Sequence, residues 1–546
     1  MKISRILIIS ASIEHSPLAF PMGAMSIYTA IRTDKDLMIS YDASLRHFYG
    51  DTDDPARSAQ EDARLSPDIL AISLYLFNRD WMYHYLESFR ALCPETTVIA
   101  GGPDVISSPA ELLARGVHYL IIGEGETTVR RFLRDFRDGK EPQGEGIYSA
   151  DRPLLVPAYE ADLEALSSPL LFLSESLPAY PGILWEMTRG CPFRCSFCAE
   201  SRGNRQVRSY PFERLEEELQ AIITSGVTSV FILDPTFNLE KERTRRILTF
   251  LIEHSPEYIH YTFEVRGELL DESTVELFSR LTCSLQIGLQ SSNVEVMKQV
   301  DRAFAPDRFH RGVSLLHRYG IVFGLDLIIA LPGDTIDSFR ESVEYAVNLR
   351  PSNLDIFTLS LLPGTEIYER RDTFALRYET DSPYEVKETA TMSASEIETA
   401  QSIRHGCDIF YTKGEAVMWF IRVLEVLEMK AADFFLECDE YMKTTGFEAD
   451  DDTFVLQEGF ISNMYRDKGK EEYLPLILSY VELHQGLCYL RDTSDTPVVH
   501  LAYPVEVLNR LDEEPAQEVL RDETVEPYEH NLLLYMMGTQ VMVEEV

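Results

Sequence analysis

The chain has 546 residues, with 50 basic against 90 acidic side chains and a formal charge of −40 at pH 7. That surplus excludes nucleic acid and anionic bilayers as partners, because both require clustered cations on the protein. With 45% hydrophobic residues, the length allows about two to four packed domains and argues against a disordered chain. Residues 1–10 are only mildly basic, the apolar run breaks within 11–20, and no window reaches about 18 consecutive apolar residues. No leader and no membrane span are expected, and the location expected is cytoplasmic. Of eight cysteines, Cys191, Cys195 and Cys198 fall within eight positions, a clustering that points to a metal rather than to a disulfide framework.

Residues 1–150 are expected to form a first domain. Apolar runs at 5–10, 68–73, 96–102 and 119–123 alternate with segments of helical period such as 25–31 and 81–92, the pattern of a parallel sheet covered on both faces. Ligands of such sheets bind beyond the strand C-termini, where glycines let the backbone approach. Ser73, Gly101-Gly102 and Gly123-Glu124-Gly125 occupy those strand ends. In this order they resemble the cobalamin-binding domain that precedes many radical S-adenosylmethionine enzymes. The resemblance implies a doubly wound, Rossmann-like fold, with Ser73, Gly101, Gly102, Gly123, Glu124 and Gly125 beside cobalamin. The cobalt-ligating D-x-H-x-x-G motif of methionine synthase is replaced by Asp42-Ala-Ser-Leu-Arg-His47, with Ser44 at the histidine position. Two explanations stand: a cobalamin without a histidine ligand below, or a domain that kept its fold and lost the cofactor. His47, on an expected loop, is read as solvated.

After an expected linker at 151–180, a second domain is expected over 181–380. Residues 182–198 read as a strand, a glycine turn and C-x-x-x-C-x-x-C. Thiolates suit iron, and three on one loop can hold three irons of a cubane. A structural zinc site normally adds a second ligand pair about 12–20 residues on, and neither Cys nor His occurs between Cys198 and His254. The spacing resembles the radical S-adenosylmethionine superfamily. That resemblance implies a [4Fe-4S] cluster on Cys191, Cys195 and Cys198, with S-adenosylmethionine chelating the open iron and cleaved to a 5′-deoxyadenosyl radical. Five further strand candidates, at 229–234, 261–266, 283–290, 322–333 and 353–364, alternate with helical segments. With the strand before the cysteines they make six βα repeats, matching the family's open (βα)₆ partial barrel, whose chemistry sits at strand C-termini. By position, the resemblance implies S-adenosylmethionine contacts from Phe197, Asp234, Thr236, Asn238, Glu264, Arg266, Gln290, Ser291, Asp326 and Pro332. Cys93, Cys283, Cys407, Cys438 and Cys488 are isolated and read as small core residues.

From 381 onward 35 acidic residues face 12 basic ones. Segments 416–437 and 471–490 have helical spacing, 491–530 looks more open, and 498–507 could add a strand. The expectation is a mostly helical acidic domain that covers the barrel mouth. The resemblance then implies a radical enzyme that methylates or otherwise modifies an unactivated carbon of a small molecule or peptide. Its electron donor would be a flavodoxin or ferredoxin. The alternatives are a cobalamin-independent radical enzyme, of oxidative-cyclase or of sulfur-inserting, RNA-modifying type, and a non-catalytic redox or cofactor sensor. A tail with this charge is the wrong sign for RNA.

Overall fold

The computed structural model describes residues 3–153, 155–202, 204–448, 451–522, 525–537 and 540–546. The first sheet contains β1 (Ser4–Ser12), β2 (Tyr41–Tyr49), β3 (Ile69–Ser73), β4 (Thr97–Gly101), β5 (Tyr119–Ile121) and β6 (Ile147–Tyr148). Its order is β2-β1-β3-β4-β5-β6, parallel except for β6. Sequential strands reverse direction of growth between β1 and β3, so the topological switch point, where doubly wound sheets open a crevice, lies at their C-terminal ends. Ile6, Ile8, Ile69 and Ala71 bury one face and Leu7, Ile9, Leu70 and Ile72 the other, which is why these strands read as continuous apolar runs.

Strand β2 corrects the expectation that His47 lies on a loop. It pairs residue for residue with β1, Ser44 opposite Leu7 and His47 opposite Ser10. Being an edge strand with one wet face, it alternates apolar and polar residues and escapes a search for apolar runs. The stretch 151–180 is also more than a linker. The Ala158 amide donates to the Ile122 carbonyl and the Ala158 carbonyl accepts from the Glu124 amide (3.0 and 2.8 Å), so this segment seals the end of β5.

The second sheet is β14-β13-β12-β11-β10-β7, all parallel and in sequence order. Its strands are β7 (Ile183–Trp185), β10 (Ser229–Ile232), β11 (His260–Val265), β12 (Cys283–Gln290), β13 (Val322–Ile329) and β14 (Asn353–Thr358). The helices between them give the expected six-strand partial barrel. A two-residue ribbon, β8 (Thr188–Arg189) with β9 (Arg208–Ser209), brackets the cysteine loop. Phe20, Met22 and Met25 of the first domain join the barrel's apolar core, and the loop after β1 meets Tyr180 through Phe20 (ring centroids 5.0 Å apart). The switch point therefore faces the barrel.

The C-terminal region begins with the pair β15 (Arg377–Tyr378) and β16 (Val386–Glu388). It is mainly helical, from Ala394–Cys407 to Leu474–Thr493. The segment at 416–437 is not one helix, because Glu428 adopts a left-handed conformation (φ 53°) between the helices Phe420–Leu427 and Ala431–Thr445. The more open tail includes the antiparallel sheet β17 (Val498–Leu501), β18 (His530–Met537) and β19 (Gln540–Glu545). Among the described residues no helix is long and apolar enough to cross a membrane.

Candidate active site

The cysteine loop leaves β7 at the barrel mouth and is pinned at its centre. The Ser196 amide donates to the Val300 carbonyl (2.9 Å), and the Ser196 carbonyl accepts from the Ile367 amide (3.0 Å). Cys195 is buried, Cys191 and Cys198 are half-buried, and none of the three is in a disulfide. Among the described residues no group of three His, Cys, Asp or Glu side chains is gathered tightly enough to hold a metal ion. The fit of a cluster rests instead on donor chemistry: three soft ligands on one short loop and, around them, cations without counter-ions. Arg266 Nη2 and Arg302 Nη1 both lie 3.9 Å from Cys195 Sγ. Arg266 also lies flat over Phe193, 3.7 Å from its centroid. Among the described residues neither guanidinium meets a carboxylate within ion-pair distance, in a chain with 40 more acids than bases. A buried and a half-buried cation side by side suit an anionic centre such as an iron–sulfur cluster with its thiolates. Arg302 carried no signal in the sequence, because it lies in a loop beyond the fourth barrel strand rather than at a strand end.

Three residues expected to touch S-adenosylmethionine are committed to other tasks. Asp234 Oδ1 accepts from the Met187 and Thr188 amides (both 2.9 Å) and its Oδ2 from Arg243 (3.2 Å). Asn238 clips the end of β11 through the backbone of Arg266, accepting from its amide and donating to its carbonyl (3.0 and 2.9 Å). Ser291 is buried and accepts from the Asn293 amide (3.1 Å). Position at a strand end predicts these residues; the direction in which their side chains turn does not follow from it. Removing the Asp234 carboxylate takes away the ion-pair partner of Arg243 and the acceptor of two amides, four and three residues ahead of Cys191. Asp234→Ala is expected to cost about 3 kcal/mol and to lower the iron retained after reconstitution, measured by urea unfolding and iron assay.

The remaining candidates lie together at the barrel mouth or on its inner wall. Thr236 lines a small open cleft with Cys191 and Arg243. Phe197 packs half-buried at the loop's end and Pro332 is buried after β13. Gln290 ends β12 at φ 69°, just where the register with β13 slips, and Ala330 follows β13 at φ 66°. Left-handed non-glycine residues side by side at a barrel rim store strain where function concentrates. Inside the barrel stand Glu264 of β11, Asp326 of β13 and Asp355 of β14, with Gln286 donating to both aspartates. Burial, reinforced by Asp326, pushes Glu264 up to about 7, and burial pushes Asp326 up to about 6. The Glu264 carboxylate makes no hydrogen bond among the described residues, and the residue is exposed, so solvent reaches it although protein atoms surround it.

A raised carboxyl pKa favours folding below the ordinary carboxylate range, and that contribution is lost as pH rises through the folded-state value. Glu264→Gln is therefore expected to stabilise the protein at about pH 8, by about 1 kcal/mol after allowance for solvent, and to be nearly neutral at about pH 4. Urea titrations at the two pH values check this.

In the first domain, Ser73 and Gly101 are register partners at adjacent strand ends. Around the switch point Ile13 (61% exposed), Leu18 (59%) and Phe77 (52%) present an apolar collar. A crevice with such a rim fits a large macrocycle with an apolar face. The other expected contacts face elsewhere. Ser44 lies in mid-β2 and donates to the Ile6 carbonyl (3.4 Å), five residues from the strand's open end. A Cβ at Gly102 would meet the Leu74 carbonyl at 2.3 Å, at Gly123 the Ala158 carbonyl at 2.2 Å, and at Gly125 the Ile27 side chain at 2.8 Å, so these glycines serve close internal packing. His47 is half-buried in β2, with its Nε2 3.3 Å from the Ser12 hydroxyl; burial lowers its pKa to about 4.

Glu124 belongs to the domain junction. It receives two bonds from Arg208 (2.6 and 2.9 Å), while Arg189 spans Glu126 (2.7 Å) and Glu186 (2.9 Å). Tyr210 also donates to Glu186 (2.9 Å). Burial opposes ionisation of Glu126, yet the Arg189 guanidinium holds it below its ordinary value. Burial raises Glu186 despite the same arginine. From the barrel's other flank, Ser382 donates to the Leu76 carbonyl (3.3 Å) and Arg79 lies over Tyr384, so the C-terminal region reaches the switch point too.

Residues 185–346 match the Radical SAM superfamily; they span the cysteine loop and most of the barrel, and the doubly wound sheet precedes them. Among known proteins the chain is similar to the cobalamin-dependent radical SAM methyltransferase TokK of Streptomyces tokunonensis, 25% identical over 346 residues, 58% of this chain and 50% of that one. It is likewise similar to the 2-(S-pantetheinyl)-carbapenam-3-carboxylate methyltransferase of Streptantibioticus cattleyicolor, 26% identical over 55% of this chain and 48% of that one. The chain thus spans about half the length of these curated relatives. The fold is shared with OxsB, a cobalamin-dependent S-adenosylmethionine radical enzyme solved with aqua-cobalamin and S-adenosylmethionine bound. There the TM-score is 0.62 at 12% identity, covering 95% of this chain and 84% of that one. It is shared also with TsrM from Kitasatospora setae, a radical S-adenosylmethionine methyltransferase solved with cobalamin and a [4Fe-4S] cluster (TM-score 0.58, 17% identity, 72% and 81% covered).

Proposed function

We propose that the protein is a cobalamin-dependent radical S-adenosylmethionine methyltransferase acting on an unactivated carbon of a small molecule or peptide. The observation that carries the reading is one of arrangement: the crevice of the first sheet faces the barrel whose mouth bears the C-x-x-x-C-x-x-C loop. A cluster on Cys191, Cys195 and Cys198, once reduced by one electron, supplies the means to cleave S-adenosylmethionine reductively. Cobalamin, held beside Ser73, Gly101 and the apolar collar of Ile13, Leu18 and Phe77, supplies a methyl carrier.

The chain's own residues do the positioning. Arg266 and Arg302 balance negative charge at Cys195. Asp234 and Arg243 hold the backbone that leads into the cysteines. Gln290, on its strained turn, is a polar group at the rim for S-adenosylmethionine. Glu264 and Asp326 give the lumen two carboxyls able to hold or release a proton near neutral pH.

The test is anaerobic reconstitution with iron, sulfide and hydroxocobalamin, followed by S-adenosylmethionine and a reductant. Bound cobalt in the visible spectrum, with both 5′-deoxyadenosine and S-adenosylhomocysteine formed, is the expected result. Deoxyadenosine produced by protein that retains no cobalt would overturn the cobalamin part, and its persistence in Cys195→Ala would overturn the cluster.

A further inference from the structure

The C-terminal sheet leaves one edge bare. Of the 25 large apolar side chains exposed among the described residues, six (Tyr528, Met536, Met537, Val541, Val543 and Val546) fall within 528–546. The helix Leu474–Thr493 covers β17 and β18 from one side: a Cβ on its Gly486 would stand 2.5 Å from the Val499 side chain and 2.9 Å from that of Leu534. That cover stops short of β19. Val543 pairs with Leu534 and Val541 with Met536, and cross-strand partners share a face, yet Leu534 is buried while Val543 is 44% and Val541 43% exposed.

The backbone of that edge is open as well. In an antiparallel pair, residues that exchange hydrogen bonds alternate with residues whose N–H and C=O turn outward. The Val546 amide donates to the Asn531 carbonyl (3.0 Å), while the Leu534 amide turns the other way and donates to the Pro497 carbonyl (3.0 Å). Those two bonds fix the phase: Gln540, Met542 and Glu544 bond to β18, and Val541, Val543 and Glu545 turn their backbone groups away from it. Because β19 ends the sheet, these groups meet no strand among the described residues. Natural edges are blunted by lysine, proline or a bulge. Strand β19 has neither lysine nor proline, its register with β18 is unbroken, and its two charges, Glu544 and Glu545, sit together at one end.

We propose that β19 is a docking edge for an extended, basic peptide segment, which joins the sheet as its fourth strand. Main-chain bonds to Val541, Val543 and Glu545 supply affinity and alternate side chains supply specificity. Apolar residues two apart lie opposite Val541 and Val543, and a lysine or arginine lies opposite Glu545. Charge selects this occupant. Residues 522–546 carry six acids and neither Lys nor Arg, and Glu526, Glu529, Glu544 and Glu545 enter no ion pair among the described residues. A second copy of the chain would bring the same acids to the edge, whereas a cationic strand neutralises them. Binding here needs neither the cluster nor S-adenosylmethionine.

The full-length, anaerobically reconstituted protein and a fluorescein-labelled peptide, KTVTVTK, provide the test, read by fluorescence anisotropy. Its side chains follow the same order from either end, so either strand direction is open to it. Saturable binding is expected, weakening about tenfold or more as ionic strength rises from about 10 mM to about 1 M. The charge-reversed peptide ETVTVTE is expected to bind about tenfold or more weakly at low salt. Val541→Pro removes an amide that turns outward, so it spares the bonds to β18, blocks the incoming strand and is expected to weaken binding about tenfold. Val543→Lys, which sets a cation against those of the probe, should weaken binding likewise, and it carries the test if the proline lowers the urea midpoint. Absence of saturable binding by the wild type, equal binding of ETVTVTE, or binding unchanged in both variants overturns the docking edge. So does a wild-type dimer in sedimentation that Val543→Lys abolishes, because a second copy then holds the edge. None of these outcomes bears on the cluster, whose iron is assayed on the same preparations.

Discussion

Replacing Arg302 with methionine is expected to lower the reduction potential of the reconstituted cluster, while Arg302→Lys holds it near the wild-type value. The sign follows from charge: reduction adds an electron to a centre that is already anionic, and a cation nearby stabilises the reduced form more than the oxidised one. The Arg302 guanidinium stands 3.9 Å from Cys195 Sγ. For unit charges about 6–8 Å apart at an effective dielectric of about 20, the interaction is about 2–3 kcal/mol. Partial compensation by water and by Arg266 reduces this, leaving a shift between tenfold and a hundredfold in the reduced-to-oxidised ratio, or about 59–118 mV for one electron. Arg266→Met should act in the same direction, but it also removes the stack on Phe193, so the cleaner measurement is at Arg302. A redox titration followed by electron paramagnetic resonance, without S-adenosylmethionine, reads the potential separately from turnover. A potential unmoved in Arg302→Met at equal iron content would sink the idea that these cations balance the cluster. Burial lowers the Arg266 pKa and Arg302 adds to that effect, against the opposing pull of the Cys195 sulfur and of Glu268.

What could be read from the sequence divides along physical lines. The six barrel strands and the cysteine loop were legible because buried parallel strands are continuous apolar runs and because three thiols at that spacing have few other uses. Edge strand β2 was not, since a half-wet strand such as Tyr41–Tyr49 mixes Asp42, Arg46 and His47 with apolar residues. Among site residues, strand ends could be located but the commitments of side chains could not. Asp234, Asn238 and Ser291 sit where contacts with S-adenosylmethionine are expected, and each is occupied by neighbouring backbone. Glu124 sits in a glycine turn that reads as a ligand loop, and is instead the acceptor of an arginine 84 residues away in sequence. Long-range ion pairs leave no periodic trace, so neither the domain junction nor the Arg266–Arg302 pair could be anticipated.

That junction concentrates a large stability effect in a single side chain. Arg189 is 12% exposed and joins Glu126 and Glu186, while reaching to 3.5 Å from Glu124. Arg189→Met would leave three buried or half-buried carboxylates with Arg208, on Glu124, as their one remaining ion-pair partner among the described residues, and breaking a buried pair from one side costs about 3–5 kcal/mol. Glu126→Gln removes a single acceptor charge and keeps the shape, so its cost should be nearer 1–2 kcal/mol, of the order of one charge-assisted hydrogen bond. Their pH dependence separates the two. In the wild type Glu126 has a lowered pKa, so its contribution is present above the ordinary carboxylate value of 4.5 and is lost as pH falls through the folded-state value. Without Arg189 the same carboxylate is buried and unpaired, its pKa rises, and the sign reverses: Arg189→Met should gain stability as pH falls from about 7 to about 5. Urea unfolding at those two pH values checks both magnitude and slope. A cost below about 1 kcal/mol, or a slope like that of the wild type, would mean the network is solvated and holds nothing. Arg189 lies two residues before Cys191 and ties β8 to the first domain, so the same substitution should also lower iron retention, whereas Glu126→Gln, which leaves Arg189 bonded to Glu186, should not.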